Sequence, residues 1–119
     1  MPMKDWTGYR TQIGAGVSDL AKLSPDTVKG YAALGAAGAK TDHLDARTRE
    51  LIALAVAVAL RCAGCIAVHT EAARKLGLRR EEIAEALGVA VSISAGAALV
   101  YSTRTLDAFA TAHEDQTAS

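Results

Sequence analysis

The sequence predicts an all-α protein, and both its composition and its residue spacing favour that class. Apolar residues make up 50% of the 119 residues, yet aromatic residues contribute only 4%. Alanine, valine, leucine and glycine therefore supply most of the apolar mass, which suits closely packed helices better than a sheet. Apolar positions also recur every three or four residues between helix start and stop signals. We expect five helices in a single domain over residues 1–119.

The first two predicted helices occupy the N-terminal third of the chain. Apolar spacing predicts a first helix from Asp5 to about Leu23. Ser24 and Pro25 then give a helix-start signal, a capping serine followed by a proline at the first helical position. We expect this second helix to end near Ala39.

The third and fourth predicted helices lie at the centre of the sequence. Asp45 is placed to cap the third helix, which becomes apolar all round over residues 51–60. That pattern is typical of a helix enclosed by neighbours, so we expect it at the centre of the fold. A break at Arg61 separates it from a fourth helix, which begins near Cys62 and is stopped by Gly77.

The last and longest predicted helix covers about residues 80–112 and contains Gly88 and Gly96. We expect these glycines to bend the helix or to let another helix approach closely. Its apolar stretch, residues 86–101, also carries two serines, so a buried or subunit-facing helix explains it better than a membrane span. A polar tail over residues 113–119 is expected to fray.

The charge balance argues against a polyanionic partner. Thirteen basic and thirteen acidic side chains cancel to a formal net charge of zero. No global attraction therefore acts toward nucleic acid or an anionic membrane, and we expect neither as a partner. The first ten residues include Lys4, Asp5 and Arg10, which is unlike a secretory signal. The sequence thus predicts a cytoplasmic protein.

One short stretch combines the only two cysteines with an imidazole. Cys62 and Cys65 are three residues apart, close enough to form a disulfide, and His69 follows four residues later. On a helix these side chains fall within about 60° of one another, so they share a face. The histidine can accept a thiol proton, and the helix N-terminus at Cys62 favours a thiolate. Glu50 reaches the same face only if the chain reverses at Arg61. The pattern predicts thiol redox chemistry.

Simpler interpretations of the same residues stay open at this point. Free cysteines are often small core residues, and Glu50 can serve only to stabilise its helix N-terminus or to pair with Arg47 or Arg49. Zinc is a further alternative, with His43 as an added ligand. One Cys-x-x-Cys and one histidine supply only three of the four ligands that structural zinc takes. We expect no metal and no cofactor.

Eleven residues separate Glu50 from Cys62, two separate Cys62 from Cys65, and three separate Cys65 from His69. This ordered spacing resembles that of the carboxymuconolactone decarboxylase family. Within that family it is most similar to the AhpD-like (alkylhydroperoxidase D-like) members, which keep the cysteine pair. The resemblance covers about residues 24–109, most of the chain.

The resemblance implies an all-helical, AhpD-like fold of about five to six helices that assembles as a homotrimer or homohexamer. It also implies a cysteine-based peroxidase acting on hydrogen peroxide or small organic hydroperoxides. By position, Cys65 attacks the peroxide and Cys62 resolves the resulting sulfenic acid as a disulfide, while Glu50 and His69 relay protons. The implied partners are the peroxide and a dithiol or lipoyl-type reductant protein.

One position departs from the family pattern. Peroxidase members have a second histidine immediately before the second cysteine, whereas this chain has Gly64, which cannot relay a proton. Decarboxylase members do not rely on the cysteine pair, so its presence argues against lactone decarboxylation. Beside a thiol-dependent peroxidase or disulfide reductase, two alternatives remain: an enzyme acting on a lactone acid, and a non-catalytic redox-sensing module whose Cys62–Cys65 bridge changes a subunit contact.

Overall fold

The computed structural model describes the backbone of residues 1–118 and the side chains of residues 1–112. These residues form five α-helices and no strand, which confirms the all-α prediction. In chain order the helices are α1 (Trp6–Leu23), α2 (Pro25–Thr41), α3 (Ala46–Ala59), α4 (Ala63–Lys75) and α5 (Arg80–Ala118).

The predicted ends agree with the structure to within two residues at every helix except the last. α5 continues as far as Ala118, through the segment that was expected to fray. Ser119, the last residue of that predicted tail, lies outside the described residues.

The helices pack as a series in the spatial order α2, α1, α4, α3, α5, because α1 contacts α2 and α4 while α3 contacts α4 and α5. The buried side chains all lie on the last three members of that series, and most of them are alanines, so the helix axes approach closely. The buried residues are Leu54, Ala57, Ala67, Ala73 and Ala90.

A left-handed residue ends α3 and reverses the chain toward α4. Arg61 has φ 54°, and its N–H donates to the Val58 carbonyl at 3.1 Å while the Cys62 N–H donates to the Ala57 carbonyl at 2.9 Å. This pair of bonds is the Schellman motif, which satisfies the last carbonyls of a helix. Gly77, with φ 74°, repeats the motif at the end of α4. The predicted stop is confirmed, and the reversal on which the position of Glu50 depends is present.

Two expected helix caps have different outcomes. The Asp45 carboxylate accepts the Thr48 backbone N–H at 2.7 Å and so caps α3 as predicted. That hydrogen bond is stronger to the ionised carboxylate than to the neutral acid, so it holds the pKa of Asp45 below its ordinary value. Ser24 does not cap α2, because its hydroxyl bonds the Thr27 hydroxyl at 2.6 Å and not the backbone. Pro25 nevertheless occupies the first helical position.

Glu82 holds the start of α5 against the start of α3. Its carboxylate accepts the Arg79 backbone N–H at 3.1 Å and Arg47 Nη2 at 2.8 and 3.0 Å. Arg47 Nη1 also donates to the Leu76 carbonyl at 2.8 Å. The Arg79 N–H, and after it the Arg47 guanidinium, lower the pKa of Glu82. The Arg47–Glu82 ion pair therefore ties α3 to the start of α5, and the Leu76 carbonyl ties it to the end of α4.

The far part of α5 makes little contact with the rest of the chain. We call residues 91–112 the distal arm; nearly all of its side chains are exposed, Leu106 at 73% and Phe109 at 79%. α2 is similarly open, with Leu34 78% exposed. By length and composition alone, residues 80–112 would also suffice to cross a membrane, a criterion that core helices of soluble proteins meet as well.

Two expectations about burial differ from the structure. α3 is not enclosed within one chain, since Ile52, Val56 and Leu60 are 47%, 49% and 71% exposed. α4 and α5 make the main contacts with α3 among the described residues, and they leave part of its circumference open. No described atom lies within 4 Å of a Cβ added at Gly88 or Gly96, so no helix of the same chain makes the close approach expected there.

Candidate functional site

The two cysteines lie at the N-terminus of α4. They are joined as a disulfide with their Cα atoms 5.3 Å apart, an ordinary separation for that bond. Cys62 occupies the cap position, and its Sγ accepts the Cys65 backbone N–H at 3.1 Å. Both residues are half-buried. The bond is therefore held by the helix end and is still open to a small reactant.

A hydrogen bond between α3 and α4 completes the group. His69 Nδ1 lies 2.8 Å from Glu50 Oε2, and the two side chains are 29% and 20% exposed. The reversal at Arg61 brings Glu50 back beside α4. An ionised carboxylate can only accept a hydrogen bond, so beside one Nδ1 is the donor, and in a neutral imidazole Nε2 is then left as an acceptor. The structure thus pairs Glu50 with His69 and Cys62 with Cys65, and His69 lies four residues after Cys65 on α4.

The simpler roles considered for Glu50 do not match its surroundings. Arg47 is engaged by Glu82, and Arg49 donates to the loop between α2 and α3. His69 is the partner that Glu50 keeps, and it comes from a different helix. A side chain that only stabilised its own helix end would not need that contact.

No metal-binding group forms in the described part of the chain. Within residues 1–112, no three histidine, cysteine, aspartate or glutamate side chains come together as ligands. His43, considered above as an added zinc ligand, lies in the loop between α2 and α3.

α1 supplies two neighbours of Gly64, the residue before Cys65, that the sequence did not predict. A Cβ added at Gly64 would lie 3.7 Å from Tyr9 Oη and 3.6 Å from Ile13 Cδ1. α1 is fixed there by Arg10, whose Nε donates to the Ala67 carbonyl at 2.6 Å. The four-residue spacing of Tyr9 and Ile13 indicates one helical face, but the sequence does not say which helix that face meets.

Several known proteins are similar to this chain. Residues 25–108 match the model of the carboxymuconolactone decarboxylase family. An uncharacterized protein from Haemophilus influenzae is 46% identical over 105 residues, which span 88% of this chain and 93% of that relative. An uncharacterized protein from Cupriavidus necator is 28% identical over 99 residues, which span 83% of this chain and 88% of that relative.

A solved structure agrees with these relatives. The crystal structure of an apo carboxymuconolactone decarboxylase family protein from Legionella pneumophila superposes with a TM-score of 0.71 at 38% identity. The superposition covers 87% of this chain and 93% of the Legionella chain. By its family-model match, its relatives and its fold, this chain belongs to the carboxymuconolactone decarboxylase family.

Proposed function

We propose that the protein is an AhpD-like thiol peroxidase, which reduces hydrogen peroxide or small organic hydroperoxides through Cys62 and Cys65. The observation that carries the proposal is the 2.8 Å hydrogen bond between Glu50 and His69, one helical turn beyond Cys65. In the reduced protein, His69 Nε2 is the base that takes the Cys65 thiol proton, and the Glu50 carboxylate stabilises the imidazolium that results.

The position of the base decides which thiol attacks. Cys62 caps α4, where backbone N–H groups favour a thiolate, so it is a reasonable competitor. Cys65, however, is the cysteine four residues from His69 on the same helix, the spacing at which side chains touch. We therefore assign the attack to Cys65 and the resolving step to Cys62, the roles that the family resemblance also implies.

The proposed cycle has three balanced steps. The Cys65 sulfur forms a bond to one peroxide oxygen, the O–O bond breaks, and the other oxygen leaves with a proton as water or alcohol. Cys62 then attacks the sulfenic sulfur, which forms the S–S bond and releases the oxygen as water. An external dithiol, the class of reductant that we propose as the partner, reduces the disulfide and restores both thiols.

The half-buried disulfide and a reducing cytoplasm fit this cycle. A reductant sulfur must approach the S–S bond in line, and the exposure of Cys62 and Cys65 leaves room for that approach. In the cytoplasm, where thiol pools keep most cysteines reduced, a lone Cys-x-x-Cys serves as a catalyst or sensor and not as a permanent bridge. We propose the cytoplasm as its location.

Peroxide consumption coupled to a dithiol reductant tests this function. Cys65→Ser should abolish turnover, and Cys62→Ser should consume about one equivalent of peroxide and then stop. Ala63→Ser, a serine at an exposed position between the two cysteines, is the matched control and should keep full turnover.

Each alternative has its own signature in the same assay. Unchanged turnover in Cys65→Ser contradicts the peroxidase. A lactone acid consumed equally by wild type and Cys65→Ser would instead favour decarboxylation. A disulfide that forms without turnover, together with a change in oligomer size, would favour the redox-sensing module.

We also propose that the protein is a homo-oligomer in which further copies cover the distal arm and α2. One chain exposes 9431 Å², whereas a compact monomer of 12.3 kDa exposes roughly 6,100 Å². Its radius of gyration is 20.2 Å, against about 13.5 Å for a compact domain of this length. The surplus of roughly 3,000 Å² is on the scale of permanent subunit interfaces.

Other copies of the chain suit this surface better than a lipid bilayer. Glu85 and Arg104 bound an uncharged run of 18 residues, shorter than the roughly 20 that a membrane span needs, and Asp107 follows within the arm. Its run of alanine and glycine permits close approach of another helix. Light scattering should give a multiple of 12.3 kDa. A monomer that binds neutral phospholipid vesicles would contradict the proposal.

A further inference from the structure

The space beside Gly64, which precedes Cys65 on α4, is occupied by a side chain of α1. Around the α4 axis, position 64 lies about 100° from Cys65 in the direction opposite to His69. A Cβ at Gly64 would lie 3.7 Å from Tyr9 Oη, an ordinary contact, so any longer side chain would meet the phenol. Tyr9 therefore holds the place that a side chain at position 64 would fill.

Hydrogen bonds on both sides of Tyr9 fix its position. The Asp5 carboxylate caps α1 by accepting the Gly8 N–H at 3.1 Å. Arg10, the next residue, donates Nε to the Ala67 carbonyl at 2.6 Å and Nη2 to Thr70 Oγ1 at 3.1 Å. α1 is thus tied to α4 immediately next to the tyrosine, which is itself half-buried.

The surroundings of Tyr9 hold its ring in place. Lys4 Nζ lies 4.0 Å from the centroid of the ring. A cation at that distance is attracted to the face of the ring. Within residues 1–112, no hydrogen bond engages the Tyr9 hydroxyl, so its proton is free for a substrate.

We propose that Tyr9 is the catalytic proton donor to the leaving oxygen when Cys65 attacks a peroxide. The inference rests on the proposed peroxidase function. In this role Tyr9, on α1, performs the proton transfer that Gly64 has no side chain to perform. His69 and Tyr9 then flank Cys65, one removing the thiol proton and the other protonating the product.

The proton and electron balance of the step is complete. As the sulfur–oxygen bond forms, the electrons of the O–O bond pass to the outer oxygen, which takes the Tyr9 hydroxyl proton and leaves as water or alcohol. Sulfur is oxidised by two electrons and the peroxide is reduced by two. The phenolate then recovers a proton from solvent, which reaches the half-buried ring.

Two oxidants that differ in their need for a proton test the assignment. Hydrogen peroxide releases hydroxide, which needs a proton as it leaves, while peracetic acid releases acetate, which does not. Tyr9→Phe keeps the ring and its packing and removes only the acidic proton. Oxidation of reduced Tyr9→Phe by hydrogen peroxide should slow about 100-fold, while oxidation by peracetic acid should change less than about threefold.

Two further variants keep the test informative if Tyr9→Phe is poorly folded. Lys4→Gln should slow the hydrogen peroxide reaction about threefold and leave the peracetic acid reaction unchanged. Tyr9→Ala vacates the space beside position 64, so a histidine introduced by Gly64→His can enter it. The double variant should react with hydrogen peroxide at least about tenfold faster than Tyr9→Ala alone.

The outcomes separate this inference from the function on which it rests. Wild type that is oxidised by neither reagent contradicts the peroxidase itself. If wild type reacts and Tyr9→Phe matches it, only the role of Tyr9 is overturned. Equal slowing of Tyr9→Phe with both reagents also overturns the role, because a purely structural effect does not depend on the leaving group.

Discussion

The α3–α4 pair and the distal arm are both rich in small apolar residues, yet they pack in opposite ways. On α3 and α4, Leu54 is 2% exposed and Ala67 is fully buried, while on the distal arm Leu106 is 73% exposed. The α3–α4 pair also holds the polar contact between Glu50 and His69. One chain therefore forms the Glu50–His69 pair by itself, while the distal arm is the surface that we propose other copies cover.

Charging the distal arm should have the largest effect on the molecule. Leu99→Glu combined with Leu106→Glu places two carboxylates on the surface that we assign to subunit contacts, where burial of an unpaired charge is strongly unfavourable. Light scattering should show the particle falling to the mass of one chain. Lys75→Glu, at a side chain 75% exposed on α4, is the control and should leave the mass unchanged.

An unchanged mass in the double variant would remove the distal arm from the interface. A loss of the Cys62–Cys65 bridge in a folded, monomeric double variant would contradict the separation between site and surface. The bridge can be followed by mass spectrometry of alkylated protein.

Glu50→Gln should affect the site without affecting the assembly. The amide has the shape of the carboxylate but no charge, so it stabilises a His69 imidazolium less well. We expect peroxide turnover to fall about 100-fold with no change in particle mass. Glu81→Gln, an exposed glutamate in the first turn of α5, is the matched control. Equal rates in both variants would show that the 2.8 Å contact has no catalytic part.

The sequence was sufficient to predict the helices and that Cys62 and Cys65 are close enough for a disulfide, because those depend on local patterns. Asp45, Pro25 and Gly77 start or stop helices through bonds within a few residues. Cys62 and Cys65 are close along the chain, so their pairing needs only one helical turn.

The contacts between distant helices were beyond a single sequence. Glu82 binds Arg47, which is 35 residues away, and no local pattern pairs the two. Tyr9 lies beside Gly64 only because α1 packs across α4. Because α3 is apolar all round, we expected other helices to enclose it, but periodicity does not tell whether an enclosing helix belongs to the same chain.

The two helix ends at Arg61 and Gly77 allow a smaller test on the α3–α4 pair. Both residues are left-handed, with φ 54° and 74°, but only glycine adopts that conformation without steric cost. Arg61→Gly should therefore raise the free energy of unfolding by about 1 kcal/mol. Gly77→Ala should lower it by a similar amount. Urea denaturation measures both, and a lower midpoint for Arg61→Gly would contradict the assignment of strain to Arg61.

The smallest expected effect concerns acid stability. The pKa of Glu82 lies below its ordinary value of 4.5 in the folded protein, mainly through the Arg79 N–H. Its stabilising contribution is therefore complete above that ordinary value and is lost as the pH falls through the lower folded pKa. Glu82→Gln should flatten the decline of the urea midpoint in this acidic range, while Glu85→Gln, an exposed neighbour on α5, should not. Identical declines in wild type and Glu82→Gln would contradict this account.

The most direct test of the peroxidase is a single turnover of the fully reduced protein with one equivalent of hydrogen peroxide. We expect one peroxide to be consumed for each Cys62–Cys65 bridge formed, as counted by mass spectrometry. In Cys62→Ser the reaction should stop at a sulfenic acid on Cys65, trapped by dimedone. Peroxide that persists while both thiols stay reduced would contradict the proposed function.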